Sequence, residues 1–233
     1  MRFKADIGII GAMSDEVDAI IFDLKRKKTL SVSGITFFCG RLFDKRVVVA
    51  RCGVGKVFAA LCAEAMIMSF SPELIINTGV GGALASGLVP GDIVFADSLV
   101  QHDMDTSPLG DPKGLISGIN VINLPTDKRA VRLLVALAQE LEINHRVGVI
   151  ATGDRFVCDR QTKEQIVSDF SAVACEMEGG AIAQVAYVNG IPCAVIRAIS
   201  DSADGSASMD YMEFLPKAVK TSYLLTTELV KLY

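Results

Sequence analysis

The sequence contains no tryptophan and only two histidines, His102 and His145, among its 233 residues. Histidine is the commonest metal ligand in proteins, yet these two lie far apart and outside any HExxH pattern. We therefore expect no metal, and we interpret His102, Asp103 and Asp105 as part of a loop that faces solvent or the edge of a substrate. A GxSxG turn is also missing, so the sequence does not predict a serine hydrolase triad.

Positive charge is in short supply as well. Lys and Arg number 23 against 27 acidic residues, which leaves a net charge of -4 and excludes the electrostatic footprint of a nucleic-acid-binding or membrane-surface protein. Two long uncharged runs, 74–91 and 179–196, are interrupted by asparagine, glycine and proline, which a lipid-exposed helix tolerates poorly. We expect no nucleic-acid partner, no membrane span and no secretory signal.

The six cysteines include no CxxC pair, and most of them lie within apolar runs. This usage predicts buried free thiols in a cytoplasmic protein. Apolar residues make up 51% of the chain, enough for a full core without disulfide bonds. The mean hydropathy of +0.41 further suggests that apolar surface is buried against a second copy of the chain, as in a homodimer.

Strand and helix patterns alternate along the chain without a linker or repeat, so we predict one domain over residues 1–233. The fold class expected is α/β, with three α/β/α layers around a mostly parallel, twisted mixed sheet. Predicted strands are Ile7–Ile10, Val47–Ala50, Leu74–Asn77, Ile93–Ala96, Val147–Ala151, Ala172–Cys175 and Ala194–Ile199. Predicted helices follow a cap at Ser14, span Val54–Phe70, Thr126–Glu142 with a Thr126 cap, and Ala181–Asn189, and lie within Met212–Leu232.

Three carboxylates follow predicted strands at equivalent places: Glu16, Glu178 and Asp201. Ligands of open α/β sheets bind beyond the carboxyl ends of the strands, so parallel strands would bring these acids to one edge. Each acid taken alone is better explained as a helix cap. Together, and each near a small residue, they favour a ligand site.

A glycine-rich segment, residues 77–83, follows another predicted strand. Its backbone N–H groups at Gly81 and Gly82 could approach a sugar or an anion closely. It is not a dinucleotide fingerprint, because Leu84 stands at the third glycine position, and no Gly-Lys-Ser/Thr follows as in a P-loop.

Six motifs in order make the sequence similar to the 5'-methylthioadenosine/S-adenosylhomocysteine nucleosidases, which have the nucleoside phosphorylase-like fold. They are residues 8–13 with Glu16, 75–79, 91–94, 153–156, 176–178 and 197–201. The resemblance implies a homodimeric enzyme of methionine salvage. It would hydrolyse the N-glycosidic bond of methylthioadenosine, S-adenosylhomocysteine and 5'-deoxyadenosine without a cofactor, releasing adenine.

The resemblance also implies roles for the acids. Glu16 would be the base that activates the attacking water, and Asp201 would hold and protonate N7 of adenine, with Ser200 shaping its loop. Glu178 would bind the ribose hydroxyls. These roles suit the chemistry, because adenine leaves more readily as a neutral base and nearby carboxylates stabilise an oxocarbenium-like ribosyl centre.

The remaining site residues take their expected roles from the same resemblance. Phe156 would stack on the purine, and the backbone of Val157 would contact its Watson–Crick edge. Arg197 would orient the carboxylates. Further substrate-binding positions are Met177 beside the sugar, Tyr211 near the ribose, Glu176, Val80, Gly81 and Gly82.

Two features depart from the family pattern and bear on the 5'-substituent. Val80 stands where better-known members carry a hydroxyl residue, and the segment 101–118 differs in sequence. Two other functions stay open: a purine nucleoside phosphorylase, for which Arg51 is the one candidate phosphate ligand, and a nucleoside sensor without catalysis. A futalosine-type nucleosidase is a close variant of the first interpretation.

Overall fold

The computed structural model describes residues 3–204 and 207–233, and for 208–212 it describes the backbone alone. Within these ranges ten strands and six helices follow in order: β1 (Ile7–Gly11), α1 (Ser14–Asp23), β2 (Lys25–Val32), β3 (Ile35–Leu42), β4 (Lys45–Arg51), α2 (Lys56–Phe70), β5 (Leu74–Ala83), β6 (Ile93–Gln101), β7 (Leu124–Pro125), α3 (Lys128–Glu140), β8 (His145–Thr152), α4 (Arg160–Phe170), β9 (Ala174–Glu176), α5 (Gly179–Val188), β10 (Cys193–Asp201) and α6 (Ala207–Leu232). All seven predicted strands fall on or overlap observed ones.

The ten strands form one mixed sheet in the order β10-β6-β8-β9-β5-β1-β4-β3-β2, with β7 paired to β6. Strand β5 also pairs with β10, so β10, β6, β8, β9 and β5 close into a ring. The predicted α/β class and mixed sheet are confirmed. Antiparallel pairing is more extensive than we expected, because β2, β3 and β4 form a meander and β6 runs against β10.

The helices cover both faces of the sheet, which confirms the three-layer architecture. Helices α2 and α5 contribute to one apolar core, and α1, α3 and α6 contribute to a second core. The interior of the sheet supplies both: Ile10 and Ile75 face the first, while Ile9 and Ile76 face the second. This alternation follows from the period of two along a strand.

The sequence did not predict the hairpin of β2 and β3. All residues of β2 except the half-buried Val32 are exposed, and only Leu30 and Val32 alternate with polar residues, which is too short a pattern to predict a strand. It lies at the edge of the sheet and carries four consecutive cations, Lys25 to Lys28. Charged side chains of this kind discourage edge-to-edge association.

Several predicted helix ends were wrong by a few residues. Helix α3 is capped by Asp127, whose carboxylate accepts a hydrogen bond from the Ala130 N–H at 2.7 Å, while the Thr126 hydroxyl donates to the Ala96 carbonyl instead. Helix α1 includes Ser14, and α2 begins after Gly55 rather than at Val54. The last helix starts at Ala207, and Pro216 lies inside it.

All six cysteines are free thiols, and Cys158 is the exposed one. Among the described helices none is long and apolar enough to cross a membrane. The uncharged runs contain mostly buried segments, with β5 in the first run and most of α5 and the start of β10 in the second.

Candidate active site

A cavity of about 210 Å³ lies where β1, β5, β9 and β10 end. Strands β1 and β10 both run parallel to β5. Strand β9 is antiparallel to β5 and parallel to β8, but it pairs with the last two residues of β5 and therefore ends beside the same opening. Eleven predicted site residues line the cavity: Glu16, Val80, Gly81, Gly82, Phe156, Val157, Glu176, Met177, Glu178, Ser200 and Asp201.

Of the predicted site residues that the structure describes, Arg197 is the one that does not line the cavity, and it is fully buried behind the carboxylates. The Tyr211 side chain lies outside the described residues. The cavity wall also includes five residues that sequence reasoning missed, which are Ala12, Met13, Val54, Arg155 and Cys175.

Glu16 lies in the first turn of α1, where its carboxylate turns back to the end of β1. Its Oε2 accepts hydrogen bonds from the N–H groups of Ala12 at 2.6 Å and Met13 at 3.0 Å. Its Oε1 accepts from the Val80 N–H at 3.2 Å, which ties the acid to the glycine-rich segment. A Cβ at Gly79 would lie 2.6 Å from this oxygen, so only glycine leaves the carboxylate in place.

Burial raises the pKa of Glu16 above its ordinary value, although the positive charge of Arg197 and the backbone hydrogen bonds oppose that effect. A carboxylate with a raised pKa is a stronger base than one in water. Glu16 therefore has both roles that the sequence allows, helix cap and functional acid. It accepts hydrogen bonds from backbone N–H groups near the start of the helix, and it also faces the cavity.

Glu178 lies just before α5, and its Oε1 accepts a hydrogen bond from the Gly55 N–H at 2.8 Å. Burial, together with the negative charge of nearby Glu176, raises the pKa of Glu178 to about 7. Gly55 was not predicted as a site residue. Its positive φ of 99° and its place before α2 are features that mark a turn, but nothing in the local sequence indicates a partner 123 residues away.

Glu176 and Arg197 form a buried ion pair beneath the cavity. Glu176 also accepts hydrogen bonds from the Thr152 hydroxyl and from the N–H groups of Glu178 at 2.9 Å and Gly179 at 2.6 Å. Burial alone would raise the pKa of Glu176, but the charge of Arg197 and these bonds bring it below its ordinary value. The Glu176 carboxylate is thus neutralised by a buried cation.

Asn77 and Thr152 complete this framework, and neither was predicted to belong to the site. Arg197 donates to the Asn77 side-chain oxygen, and Asn77 Nδ2 donates to the Ile10 carbonyl at 2.9 Å. Thr152 accepts from the Gly180 N–H at 2.7 Å. Strands β1, β5, β8, β9 and β10 and the start of α5 are therefore joined through one buried ion pair.

Asp201 is the last residue of β10, on the far side of the glycine-rich segment from Glu16. Its Oδ2 accepts a hydrogen bond from the Ser200 hydroxyl at 2.8 Å, and its Oδ1 accepts from the Ala203 N–H at 2.9 Å. A Cβ at Gly82 would come within 2.9 Å of Oδ1, so Gly82 makes room for this carboxylate. These contacts orient Asp201 within the cavity wall.

The residues after β8 form another side of the cavity. Phe156 is 44% exposed even though it lines the cavity, whereas Val157 is buried. A half-exposed aromatic ring at a cavity wall presents a flat apolar surface suited to a planar base.

Cations are scarce in the wall. Of the residues described, Arg155 is the one cation that lines the cavity, and its guanidinium donates to Asp159 at 2.9 Å. Arg51 pairs with Asp18 at 3.4 Å and does not line the cavity. The part of the chain that the structure describes also contains no group of three or more His, Cys, Asp or Glu side chains placed to hold a metal ion.

Comparison with known proteins agrees with this geometry. The family model of the phosphorylase superfamily matches residues 6–231. The chain is 37% identical to the 5'-methylthioadenosine/S-adenosylhomocysteine nucleosidase of Shewanella halifaxensis over 97% of this chain and 98% of that protein. It is 38% identical to the aminodeoxyfutalosine nucleosidase of Campylobacter jejuni over 93% of this chain and 94% of that protein.

Among solved structures, a mutant of the Helicobacter pylori nucleosidase with 5'-methylthioadenosine in its active site superposes with a TM-score of 0.95. The two chains are 36% identical, with coverage of 99% of this chain and 100% of the other. The fold and the site define a nucleosidase, an enzyme that hydrolyses N-glycosyl bonds. The chain belongs to the phosphorylase superfamily and, within it, to the family of 5'-methylthioadenosine/S-adenosylhomocysteine nucleosidases.

Proposed function

We propose that this enzyme hydrolyses the N-glycosidic bond of 5'-methylthioadenosine and S-adenosylhomocysteine, and also that of 5'-deoxyadenosine. The products are adenine and the corresponding 5'-substituted ribose. The observation that carries the proposal is a cavity walled by Glu16, Glu178 and Asp201, with a single cation, Arg155, among the described residues of its wall. Such a wall suits a neutral nucleophile and a reaction that develops positive charge on the sugar.

Glu16 is the base in this proposal. Its carboxylate is held by three backbone N–H groups, so it enters the reaction already oriented. Its raised pKa favours removal of a proton from water near neutral pH. The water attacks C1' of the ribose as the bond to adenine breaks, and its proton passes to Glu16.

Asp201 is the acid that serves the leaving group. A proton at N7 lets adenine depart as a neutral base rather than as an anion. The Ser200 hydroxyl and the Ala203 N–H fix the orientation of Asp201. Phe156 stacks on the purine, and the backbone of Val157 contacts its Watson–Crick edge.

Glu178 binds the ribose hydroxyls and, when ionised, stabilises the positive charge of the transition state. Support comes from its place in the cavity wall and from the Gly55 N–H that occupies one of its oxygens. Met177 packs beside the sugar. Glu176 and Arg197 orient the other acids from behind.

Water is the nucleophile in preference to phosphate, because a phosphate dianion beside Glu16 and Glu178 would meet like charge in a partly desolvated site. Product analysis by mass spectrometry in phosphate-free buffer tests this assignment. We expect adenine and methylthioribose, at a rate that added phosphate does not raise. Methylthioribose-1-phosphate, or an absolute requirement for phosphate, would make the enzyme a phosphorylase.

Aminodeoxyfutalosine belongs in the same assay, since a relative at 38% identity is named for that substrate. Val80 has no hydroxyl to offer a substrate. The relative kcat/KM values of the nucleosides therefore measure how the wall around Val80 accepts different 5'-substituents.

We further infer that residues 1–233 form one domain, that the enzyme is a homodimer, and that it acts in the cytoplasm. All described strands join one sheet, and the six cysteines are free thiols. Helix α2 exposes Val57 (78%), Phe58 (56%) and Met68 (59%), an apolar face that a symmetric partner would cover. Sedimentation at micromolar concentration should give twice 24.9 kDa, and a stable monomer would contradict the inference.

A further inference from the structure

Helix α2 begins without a cap of its own, and carboxylates from distant parts of the chain supply the missing acceptors. The Gly55 N–H donates to Glu178 Oε1 at 2.8 Å, and the Lys56 N–H donates to Asp154 Oδ1 at 2.7 Å. Acceptors at a helix N-terminus satisfy N–H groups that have no partner within the helix. A Cβ at Gly55 would lie 3.0 Å from Asp154 Oδ1, so glycine allows this close approach.

Asp103 closes these contacts into a ring. It accepts a hydrogen bond from Lys56 Nζ at 2.6 Å through one oxygen and from the Asp154 N–H at 2.9 Å through the other. The Lys56 and Asp103 side chains are only 19% and 31% exposed, which reduces the competition from water that weakens surface ion pairs. We call Lys56, Asp103 and Asp154 the Lys56 network.

The Lys56 network lies between the two parts of the proposed substrate site. Asp154 stands two residues before Phe156, on the segment that faces the base. Lys56 adjoins Gly55, whose N–H holds the ribose-binding carboxylate Glu178. The segment that faces the base is thus joined to the Gly55–Glu178 side of the cavity twice, directly by the Lys56–Asp154 hydrogen bond and indirectly through Asp103.

We propose that Lys56, Asp103 and Asp154 are positioning residues that hold the base-binding segment in register with Glu178. This inference rests on the proposed function, and none of the three residues lines the cavity. A cap that only stabilised α2 would need neither the Asp103 bridge nor a carboxylate from the base-binding segment. A positioning role explains both the Asp103 bridge and the use of the Asp154 carboxylate.

The test uses the full-length variants Asp103→Ala and Asp154→Ala. For each, the KM and kcat for methylthioadenosine are measured, together with the affinity for adenine by calorimetry. We expect KM to rise about tenfold and adenine affinity to fall by a similar factor, with a smaller change in kcat. Asp154→Asn keeps an oxygen for the Lys56 N–H and should restore most of the affinity.

Asp6→Ala is the matched control. Asp6 also accepts hydrogen bonds from a backbone N–H and from a cationic side chain, both of Arg46, but it lies just before β1 and does not line the cavity. It should lower thermal stability without changing KM. If Asp103→Ala and Asp154→Ala behave in the same way, the network is only a structural cap and the proposal is overturned.

The double variant Asp103→Ala/Asp154→Ala checks that the residues act together. If the residues act through one network, the KM of the double variant should be no higher than that of the worse single variant. A KM increase equal to the product of the two single increases would refute a shared role. If the wild-type enzyme binds adenine but leaves methylthioadenosine intact, the proposed function fails, and adenine calorimetry on the same variants still decides the role of the network.

Discussion

Replacement of Glu178 by glutamine should stabilise the protein while it abolishes most of the activity. Burial and the charge of Glu176 raise the pKa of Glu178 from 4.5 to about 7. A carboxyl with a raised pKa in the folded state favours folding when it is protonated and opposes folding when it is ionised. The destabilisation of the folded state by Glu178 is therefore absent below about pH 4.5, grows as the pH rises, and is complete above about pH 7.

The magnitude follows from the two pKa values. They differ by about 2.5, and each pH unit corresponds to about 1.36 kcal/mol, so ionised Glu178 lowers the free energy of unfolding by about 3 kcal/mol. Glutamine keeps the oxygen that accepts from the Gly55 N–H but carries no charge. Because about 1 kcal/mol shifts Tm by roughly 2–4 °C in a protein of this size, Tm at pH 8 should rise by roughly 6–12 °C.

Urea unfolding at pH 8 and pH 4.5, at one protein concentration, measures this effect. We expect Glu178→Gln to be more stable than the wild type at pH 8 only, and kcat/KM at pH 8 to fall by about 100-fold or more. Glu164→Gln, in an exposed pair with Arg160, is the control and should change stability by less than about 0.5 kcal/mol. A variant that is less stable at pH 8, or equally stabilised at both pH values, would refute the reasoning.

Three further predictions concern the same acids. Glu16→Gln should reduce kcat by about 10²–10⁴ with little change in substrate affinity, and calorimetry that detects no binding would contradict a purely catalytic role. Gly79→Ala should reduce kcat by about tenfold or more, because the new Cβ would lie 2.6 Å from Glu16 Oε1; unchanged steady-state kinetics would rule out this contact as important. The wild-type kcat/KM should decrease as the pH falls below about 7, since protonated Glu178 cannot stabilise positive charge, and a profile that stays flat down to pH 5 would exclude that requirement.

Much of the fold could be predicted because its buried strands are continuous apolar runs. The runs that predicted β1, β4, β5, β6 and β10 have the composition typical of strands covered on both faces. The exposed strand β2 has no such pattern, since its residues contact solvent and its strand geometry depends on pairing with β3. The start of α3 was mispredicted because it too depends on tertiary contacts. Asp127 and Thr126 are both good caps by residue type, but the Thr126 hydroxyl donates to the Ala96 carbonyl, which leaves Asp127 as the cap.

The acids of the cavity could be predicted from sequence because each one follows a strand closely. Glu16, Glu178 and Asp201 lie within a few residues of strand ends, where the fold class places ligands. The difference between Glu176 and Glu178 could not be foreseen. The two residues are separated by Met177 alone and both line the cavity, yet Glu176 is bound to Arg197 and Thr152, whereas Glu178 accepts a hydrogen bond from the Gly55 N–H.

The sequence by itself determined the chemical groups and their local setting: three acids after strands, a glycine-rich segment and an aromatic residue after Gly153-Asp154. Tertiary structure alone decided which of these groups meet. Gly55 and Glu178 lie 123 residues apart, and Asn77 and Arg197 lie 120 apart. The periodicity of the sequence indicates burial and the type of each element. Contacts between distant residues depend instead on the order of the strands and on the pairing of β5 with β10, and together these bring distant backbone N–H groups to the carboxylates.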